Sequence, residues 1–214
     1  MFFLVFSKKV LKKIYTCVVY RQYFTYLYCM PLAQSTLIKK IELTSDVFEL
    51  HYKSHEIKNM IPWQFITFIL PGIWGRAYSI LELDDTLIKL IIKRWSSEMW
   101  GRWGSMFLCD AHIWDTFNYV GPNGHFTLTS WDVSRCFLGT GTWFVPLYNQ
   151  ILWSLSRWDT SDISFAFWVR TEQDLFYTQE LENLSLQYSN FTYYLYLSKE
   201  SSEDIKKWYV TDFI

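Results

Sequence analysis

Cys136-Phe137-Leu138-Gly139-Thr140-Gly141-Thr142-Trp143-Phe144-Val145-Pro146 is the stretch on which the fold turns. Three apolar residues form a short buried strand, a Gly-Thr loop follows, and Val145–Leu155 then reads as a helix. An open α/β sheet binds nucleotides where a strand runs through a glycine loop into a helix. The loop glycines let backbone N–H groups approach phosphate near a helix N-terminus. No Gly-Lys-Ser/Thr follows, so the loop is not of the Walker type. Alone, these residues also fit an ordinary strand–helix turn.

The residues after this loop repeat the rhythm. Ile163–Val169 is a mostly apolar run, as a central parallel strand should be. Asp174–Leu186 is amphipathic, with Asp174 at its start, and Phe191–Leu197 reads as another strand. This βαβαβ order predicts a Rossmann-like nucleotide-binding half-domain. Covering the sheet would take a further helix and strand, yet only 16 of the 214 residues follow Ser198, so a truncated C-terminus is expected.

The residues before the loop have another period. Leu37–Leu43, Val47–Tyr52, Phe65–Leu70, Ala77–Leu83, Leu87–Lys93, Thr116–Val120 and His125–Thr129 are short apolar or alternating runs. Turns are expected at Pro71-Gly72, Asp84-Asp85 and Gly121-Pro122-Asn123-Gly124. Many short strands at this spacing predict a small six-stranded antiparallel β-barrel, with the boundary to the α/β unit near residue 130.

Composition narrows the function classes. Hydrophobic residues make up 50% and charged residues 19%, enough for a sizeable core and against global disorder. The net charge of −1 leaves no basic footprint for nucleic acid. Cys17, Cys29, Cys109 and Cys136 contain no C-x-x-C pair and no disulfide framework, so a reducing, cytoplasmic setting is expected. His51 and His55 stand four apart, but in strand and turn surroundings. They read as a solvated pair, and no metal site is expected. Residues 1–29 mix aromatic and basic residues. The longest uncharged run there, Gln22–Ile38, contains Pro31 and polar residues and is too short for a membrane span of about 20 apolar residues. No secretory cleavage pattern follows. Residues 1–29 are read as an upstream extension, with the natural start at Met30; a basic amphipathic membrane-surface segment is the other reading.

Two further motifs carry chemistry. Arg76-Ala77-Tyr78-Ser79 places an arginine, an aromatic ring and a hydroxyl within four residues. Arginine pairs with pyrophosphate, tyrosine packs on a ring face, and serine hydrogen-bonds a ring nitrogen. A surface strand with a tyrosine would look the same. Gly101-Arg102-Trp103-Gly104-Ser105 precedes a short helix expected at Met106–Asp110, where N–H groups would face phosphate or Ser105 would cap the helix.

In this order, the three motifs resemble the ferredoxin–NADP reductase superfamily over about Leu37 to Ile214. Arg76-Ala77-Tyr78-Ser79 is similar to its R-x-Y-S flavin motif, although Ile80 stands where Thr or Ser is usual. Ile92-Lys93-Arg94 falls where the family's next strand contacts the flavin nucleotide. Gly104-Ser105, with Met106 beside it, resembles the G-S that opens the pyrophosphate helix. Gly121-Pro122-Asn123-Gly124-His125-Phe126 resembles the G-P-x-G-x-F turn that closes the barrel. Gly139-Thr140-Gly141-Thr142 through Pro146 resembles the nicotinamide-nucleotide loop G-T-G-T-G-I-A-P. Asp174–Leu181 resembles the helix after the second strand, and Ser198-Lys199 resembles an S-R pair that some relatives use for the 2′-phosphate of NADP.

The resemblance implies residues 30–130 as an FAD-binding β-barrel domain and residues 131–214 as an incomplete NAD(P)-binding α/β domain. It implies a hydride passing between NAD(P)H and flavin, then electrons passing to a second acceptor such as ferredoxin. Tyr78 and Ser79 are the candidate catalytic residues. Arg76, Tyr78, Ser79, Ile92, Lys93, Gly104, Ser105 and Met106 would bind FAD. Gly139, Thr140, Gly141, Thr142, Pro146, Arg170, Ser198 and Lys199 would bind NADP or NAD. Two alternatives stand beside this reading. One is the electron-transfer subunit of a larger redox complex of the dihydroorotate dehydrogenase type, whose cysteine cluster this chain does not show. The other is a non-catalytic, Trp-rich binding protein.

Within the resemblance, tryptophan stands at glycine positions. The chain has 12 Trp and only 8 Gly, where about 15 Gly would be usual. Trp63, Trp114, Trp143, Trp168 and Trp208 fall at family glycines, and Trp100 and Trp103 lie in the pyrophosphate loop. One cause would explain both the excess and the deficit: a UGA codon meaning glycine, translated as tryptophan. A Trp-rich recognition surface is the competing reading. A WD propeller is rejected, because the three Trp-Asp pairs at 114, 131 and 158 lack its period of about 40–45 residues.

Overall fold

The computed structural model describes residues 32–56, 61, 63–84, 86–95, 103–126, 128, 133–157, 160–200 and 205. The expectations for residues 1–29, for Gly101-Arg102 and for Trp100, Trp131, Trp158 and Trp208 lie outside them, as does the side chain of Trp103.

Six strands close a barrel: β1 (Ala33–Thr44), β2 (Val47–Lys53), β3 (Phe65–Leu70), β4 (Ile73–Asp84), β5 (Leu87–Lys93) and β6 (Thr116–Asn123). Their order around the barrel is β1-β2-β5-β4-β3-β6, and every pairing is antiparallel. Alternation drives this closure: every second residue of Phe65–Leu70 is buried, and Leu37, Leu50, Tyr52, Ile66, Phe68, Ile80, Ile88, Leu90 and Tyr119 fill the interior with no exposed surface.

β1 and β4 run longer than the sequence pattern predicts. Bulges between Leu37 and Lys39, between Glu42 and Thr44, and between Ile80 and Glu82 break their alternation without ending the strands. The turn expected at Gly121-Pro122-Asn123-Gly124 is also corrected. β6 continues through Asn123, with Gly121 and Pro122 inside the register shift opposite Phe65–Thr67. A proline costs no ladder hydrogen bond at such a shift. His125–Thr129 forms no strand in its described residues.

The second layer is a parallel sheet in the order β7 (Arg135–Thr140), β8 (Ile163–Val169), β9 (Phe191–Leu197). Helix α1 (Trp103–Cys109) lies between β5 and β6 in the chain. Helix α2 (Phe144–Ser156) follows β7, and α3 (Thr178–Gln187) follows β8. The helix expected from Asp174 starts at Thr178 instead. Asp174 ends a separate 3-10 turn, where its carboxylate accepts from the Thr171 N–H and hydroxyl, both at 3.0 Å.

α2 is buried on more than one side, because it packs on the sheet and on the barrel at once. Asn149 Nδ2 donates to the Ile80 carbonyl on β4 at 2.9 Å, and Gln150 Nε2 donates to the Phe126 carbonyl at 2.8 Å. Barrel residues Val47, Leu81 and Ile91 belong to the same apolar cluster as Phe144, Phe165, Phe167 and Leu181.

Candidate functional site

Two neighbouring cavities open where the barrel meets the glycine loop. The first, about 500 Å³, is lined by Arg76, Ala77 and Tyr78 of β4, Ile91, Ile92 and Lys93 of β5, Trp95, Ser105 of α1 and Thr142. The second, about 590 Å³, is lined on the barrel side by Val47, Lys93 and Trp95. Across from these stand Thr140 to Trp143, Trp168 to Arg170, Asp174, Phe176 and Ser198. Lys93, Trp95 and Thr142 line both cavities.

Local contacts hold the first cavity in shape. Arg94 forms a two-pronged ion pair with Asp110, Nε to Oδ1 at 2.7 Å and NH2 to Oδ2 at 2.8 Å, tying the end of β5 to the end of α1. The hydrogen bond from Arg94 holds the Asp110 carboxyl below its ordinary value. Lys40 Nζ donates to the Cys109 and Ala111 carbonyls, both at 2.9 Å, placing a cation at the C-terminus of α1. The Trp95 N–H donates to Ser105 Oγ at 3.3 Å. Gly104 allows α1 to lie on β4: a Cβ there would sit 2.6 Å from Arg76 Cγ and 3.3 Å from the Tyr78 hydroxyl. Burial drives the Tyr78 phenol well above its usual range, the Cys109 thiol adds to this, and Arg76 opposes it. Tyr78 therefore stays a neutral donor. Burial, with Asp110 beside it, pushes the Cys109 thiol up to about 12, so it is no nucleophile.

The second cavity is built on the glycine loop. Gly141 has φ +53, a left-handed conformation that favours glycine. At Gly139 a Cβ would meet Leu147 Cδ1 at 3.0 Å and Phe165 Cε2 at 3.1 Å, so α2 could not pack as closely on the sheet. Trp143 departs from the sequence expectation. Its φ is −63 and ψ −13, ordinary helical values, so its backbone conformation does not require glycine, and its indole is 66% exposed on the cavity wall. Trp168 is buried in β8, and its ring stacks on Tyr196 at 4.8 Å. Two other tryptophans do need glycine-like backbone: Trp63 at φ 75 and Trp114 at φ 83.

The structure brings together Arg76, Tyr78, Ile92, Lys93, Ser105 and Thr142 around the first cavity. Thr140, Gly141, Thr142, Arg170 and Ser198 come together around the second. Ser79, one residue from Tyr78 and so across the strand from it, is half-buried outside both lining sets, as are Met106, buried Pro146 and exposed Lys199. Lys199 donates its backbone N–H to the Arg170 carbonyl at 2.9 Å. Asp46, Val47, Trp95, Trp168, Asp174 and Phe176 were not legible as site residues. Asp46 Oδ2 lies 2.7 Å from Lys93 Nζ and 3.7 Å from Arg170 NH2, and so links the two walls. His51 and His55 are not a solvated pair: His51 is buried, its Nε2 2.5 Å from Glu49 Oε1, and His55 is exposed beyond β2. Among the described residues no cluster of His, Cys, Asp or Glu has the makings of a metal site, and no helix is long and apolar enough to cross a membrane.

Relatives agree with this geometry. Residues 137–214 match the oxidoreductase NAD-binding domain family. The chain is 31% identical to a Na(+)-translocating NADH-quinone reductase subunit of Klebsiella pneumoniae over 103 residues, 45% of this chain and 25% of that protein. It is 26% identical to the propane 2-monooxygenase reductase component of Rhodococcus jostii over 174 residues, 77% of this chain and 45% of that protein. The chain thus spans less than half the length of these relatives. Among solved structures, the Amycolatopsis cytochrome P450 reductase GcoB superposes with TM-score 0.76 at 19% identity, over 86% of this chain and 57% of that one. The ferredoxin-NADP+ reductase of Plasmodium falciparum superposes with TM-score 0.69 at 21% identity, over 80% of this chain and 72% of that one. The closed barrel, the parallel sheet behind it and the matched loop agree: the chain has the fold of these reductases, and its residues 137–214 match the oxidoreductase NAD-binding domain family.

Proposed function

We propose that the protein is an NAD(P)H-dependent flavin oxidoreductase, with residues 30–130 holding FAD and residues 131–214 holding NADP or NAD. The observation that carries this reading is the pair of adjoining cavities, which share Lys93, Trp95 and Thr142. Bound FAD would supply the hydride acceptor and the one-electron steps onward to a second acceptor. Arg76 and Lys93 offer positive charge for pyrophosphate, Tyr78 a neutral ring and hydroxyl, and Ser105 a hydroxyl at the start of α1. Thr140 to Thr142 offer backbone N–H groups to the second nucleotide, Gly139 lets α2 pack closely behind them, and Arg170 and Ser198 stand at the far side of the cavity.

The protein acceptor is proposed to be a small electron carrier such as ferredoxin. A second reading makes the chain the reductase part of a multi-component redox system. It is favoured by the relatives' names, one a reductase subunit and the other a reductase component. The free thiols of Cys109 and Cys136 suit a reducing, cytoplasmic setting.

The test is titration of the chain and of Trp143→Gly with FAD, NADPH and NADH, followed by anaerobic mixing. Bleaching of the flavin absorbance by either nucleotide is expected, with tighter binding in Trp143→Gly, whose cavity wall loses an exposed indole. A folded, colourless Trp143→Gly protein that takes up no FAD would overturn the reading. NADPH is expected to bind more tightly than NADH, and the reverse order would refute the part given to Ser198-Lys199. A panel of ferredoxin and quinone acceptors then separates the two acceptor readings.

A further inference from the structure

Tyr177 stands at φ +61 and ψ 23, in the left-handed region that residues other than glycine and asparagine avoid. It precedes α3 without capping it by its side chain. The ring is enclosed by Phe144, Tyr148 and Phe176, at centroid distances of 5.6, 5.7 and 6.4 Å. Its hydroxyl crosses to the barrel and donates to Glu49 Oε2 at 2.7 Å, a contact between residues 128 apart in sequence. The other Glu49 oxygen faces His51 Nε2 at 2.5 Å. Glu49 and His51 are both buried on β2. A buried carboxylate is kept only where its oxygens are met, and here one of the two is met from the α/β side.

The place of this contact gives it a consequence. Val47, two residues before Glu49, lines the barrel wall of the nucleotide cavity, and Phe176, next to Tyr177, lines the opposite wall. The hydrogen bond therefore ties the two walls together directly behind the cavity. Strain kept at such a point marks a conformation that the surroundings enforce.

We propose that Tyr177 is a positioning residue: through Glu49 it sets the separation between the barrel and the α3 side of the second cavity, and with it the seat of the nicotinamide nucleotide. The proposal rests on the NAD(P)H reading of that cavity. The first cavity shares Lys93, Trp95 and Thr142 with the second, but its other lining residues stand on β4, β5 and α1, so it should change far less.

Tyr177→Phe and Glu49→Gln in the whole 214-residue chain test it by two readouts. In amide hydrogen exchange, α3 and β2 of Tyr177→Phe should open about tenfold more readily, the scale of one charge-assisted hydrogen bond, with β3 and β4 unchanged. In FAD reduction by NADPH, KM should rise about tenfold, with kcat and FAD affinity each changed less than about twofold. Glu49→Gln keeps an oxygen for the Tyr177 hydroxyl, so its KM rise should be smaller. Unchanged exchange in Tyr177→Phe, or faster exchange throughout the protein with an unchanged KM, overturns the proposal. If the unmodified chain binds neither nucleotide, the functional reading falls, while the exchange data still decide whether the Tyr177–Glu49 tie exists.

Discussion

Replacing Trp114 by glycine should stabilise the protein, and the local structure gives both sign and size. The Asp115 N–H donates to the His112 carbonyl at 3.1 Å, so Trp114 occupies the third position of a four-residue turn, at φ 83. That is the type II arrangement, whose third residue is normally glycine. The turn cannot relax, because Trp114 N donates to the Leu37 carbonyl at 2.7 Å and Leu37 N to the Asp115 carbonyl at 2.9 Å. Holding a side-chain-bearing residue there costs about 1–2 kcal/mol. The indole offers little in return, being 74% exposed. Glycine's greater freedom in the unfolded chain returns about 0.5–1 kcal/mol of that cost. The net gain is about 0.5–1 kcal/mol, or about 1–4 °C in Tm for a chain of this size. Trp143→Gly is the control, since its φ of −63 needs no relief, and it should lower Tm by about 1–4 °C. Trp63→Gly relieves φ 75 but removes a buried ring packed edge-on against Trp153 at 5.4 Å. Loss of a buried aromatic, about 3–5 kcal/mol, exceeds that net relief, so the variant should be destabilised by about 2–4 kcal/mol. Thermal melts of the three variants decide the matter. A Trp114→Gly protein no more stable than its parent, or a Trp143→Gly protein stabilised equally, would refute the backbone reasoning.

Three further outcomes are expected. Gly104→Ala places a Cβ 2.6 Å from Arg76 Cγ, displacing the arginine stem, so FAD affinity by fluorescence titration should fall about tenfold or more, and an unchanged affinity would show that Arg76 has room to move. Gly139→Ala wedges a methyl between Leu147 and Phe165 and should cost about 1–3 kcal/mol in urea unfolding. Burial raises the Asp174 carboxyl, but hydrogen bonds from Arg170 and Thr171 outweigh it, and its pKa is lowered from 3.8. This stabilisation is therefore present above the ordinary carboxylate pKa and is lost as pH falls through the lowered folded value. Asp174→Ala should cost about 1 kcal/mol at neutral pH and progressively less below about pH 4. A difference that stays constant across that range would exclude the ionised carboxylate as the cause.

Much of the fold was legible because unbroken apolar runs, alternating in the barrel and nearly continuous in β8, leave few choices. β3, β5, β8 and β9 begin and end where their runs do. β1 and β4 were read short because their first residues, Ala33–Thr36 and Ile73–Arg76, carry no apolar alternation although they pair with β6 and β3, and β6 because Gly121-Pro122 has the composition of a turn. The start of α3 was misplaced because Thr171 and Asp174 carry a capping signal that closes one 3-10 turn only. Of the site, the loop and the β4 motif were legible because each is local. Val47, Trp95 and Phe176 were not, since nothing near them in sequence marks them as cavity wall.

By itself, the sequence determined the barrel-then-α/β order and the glycine loop at the end of a buried strand, because period and turn chemistry are properties of neighbouring residues. It also raised tryptophan at glycine positions as a question about the chain. Only the tertiary structure separated those tryptophans into kinds. Trp114 and Trp63 stand where pairing and turn geometry force positive φ, whereas Trp143 does not, and a backbone angle is set by what the segment is docked against. The same holds for Glu49 and Tyr177, whose contact exists only because closing the barrel and packing α3 bring together residues 128 positions apart.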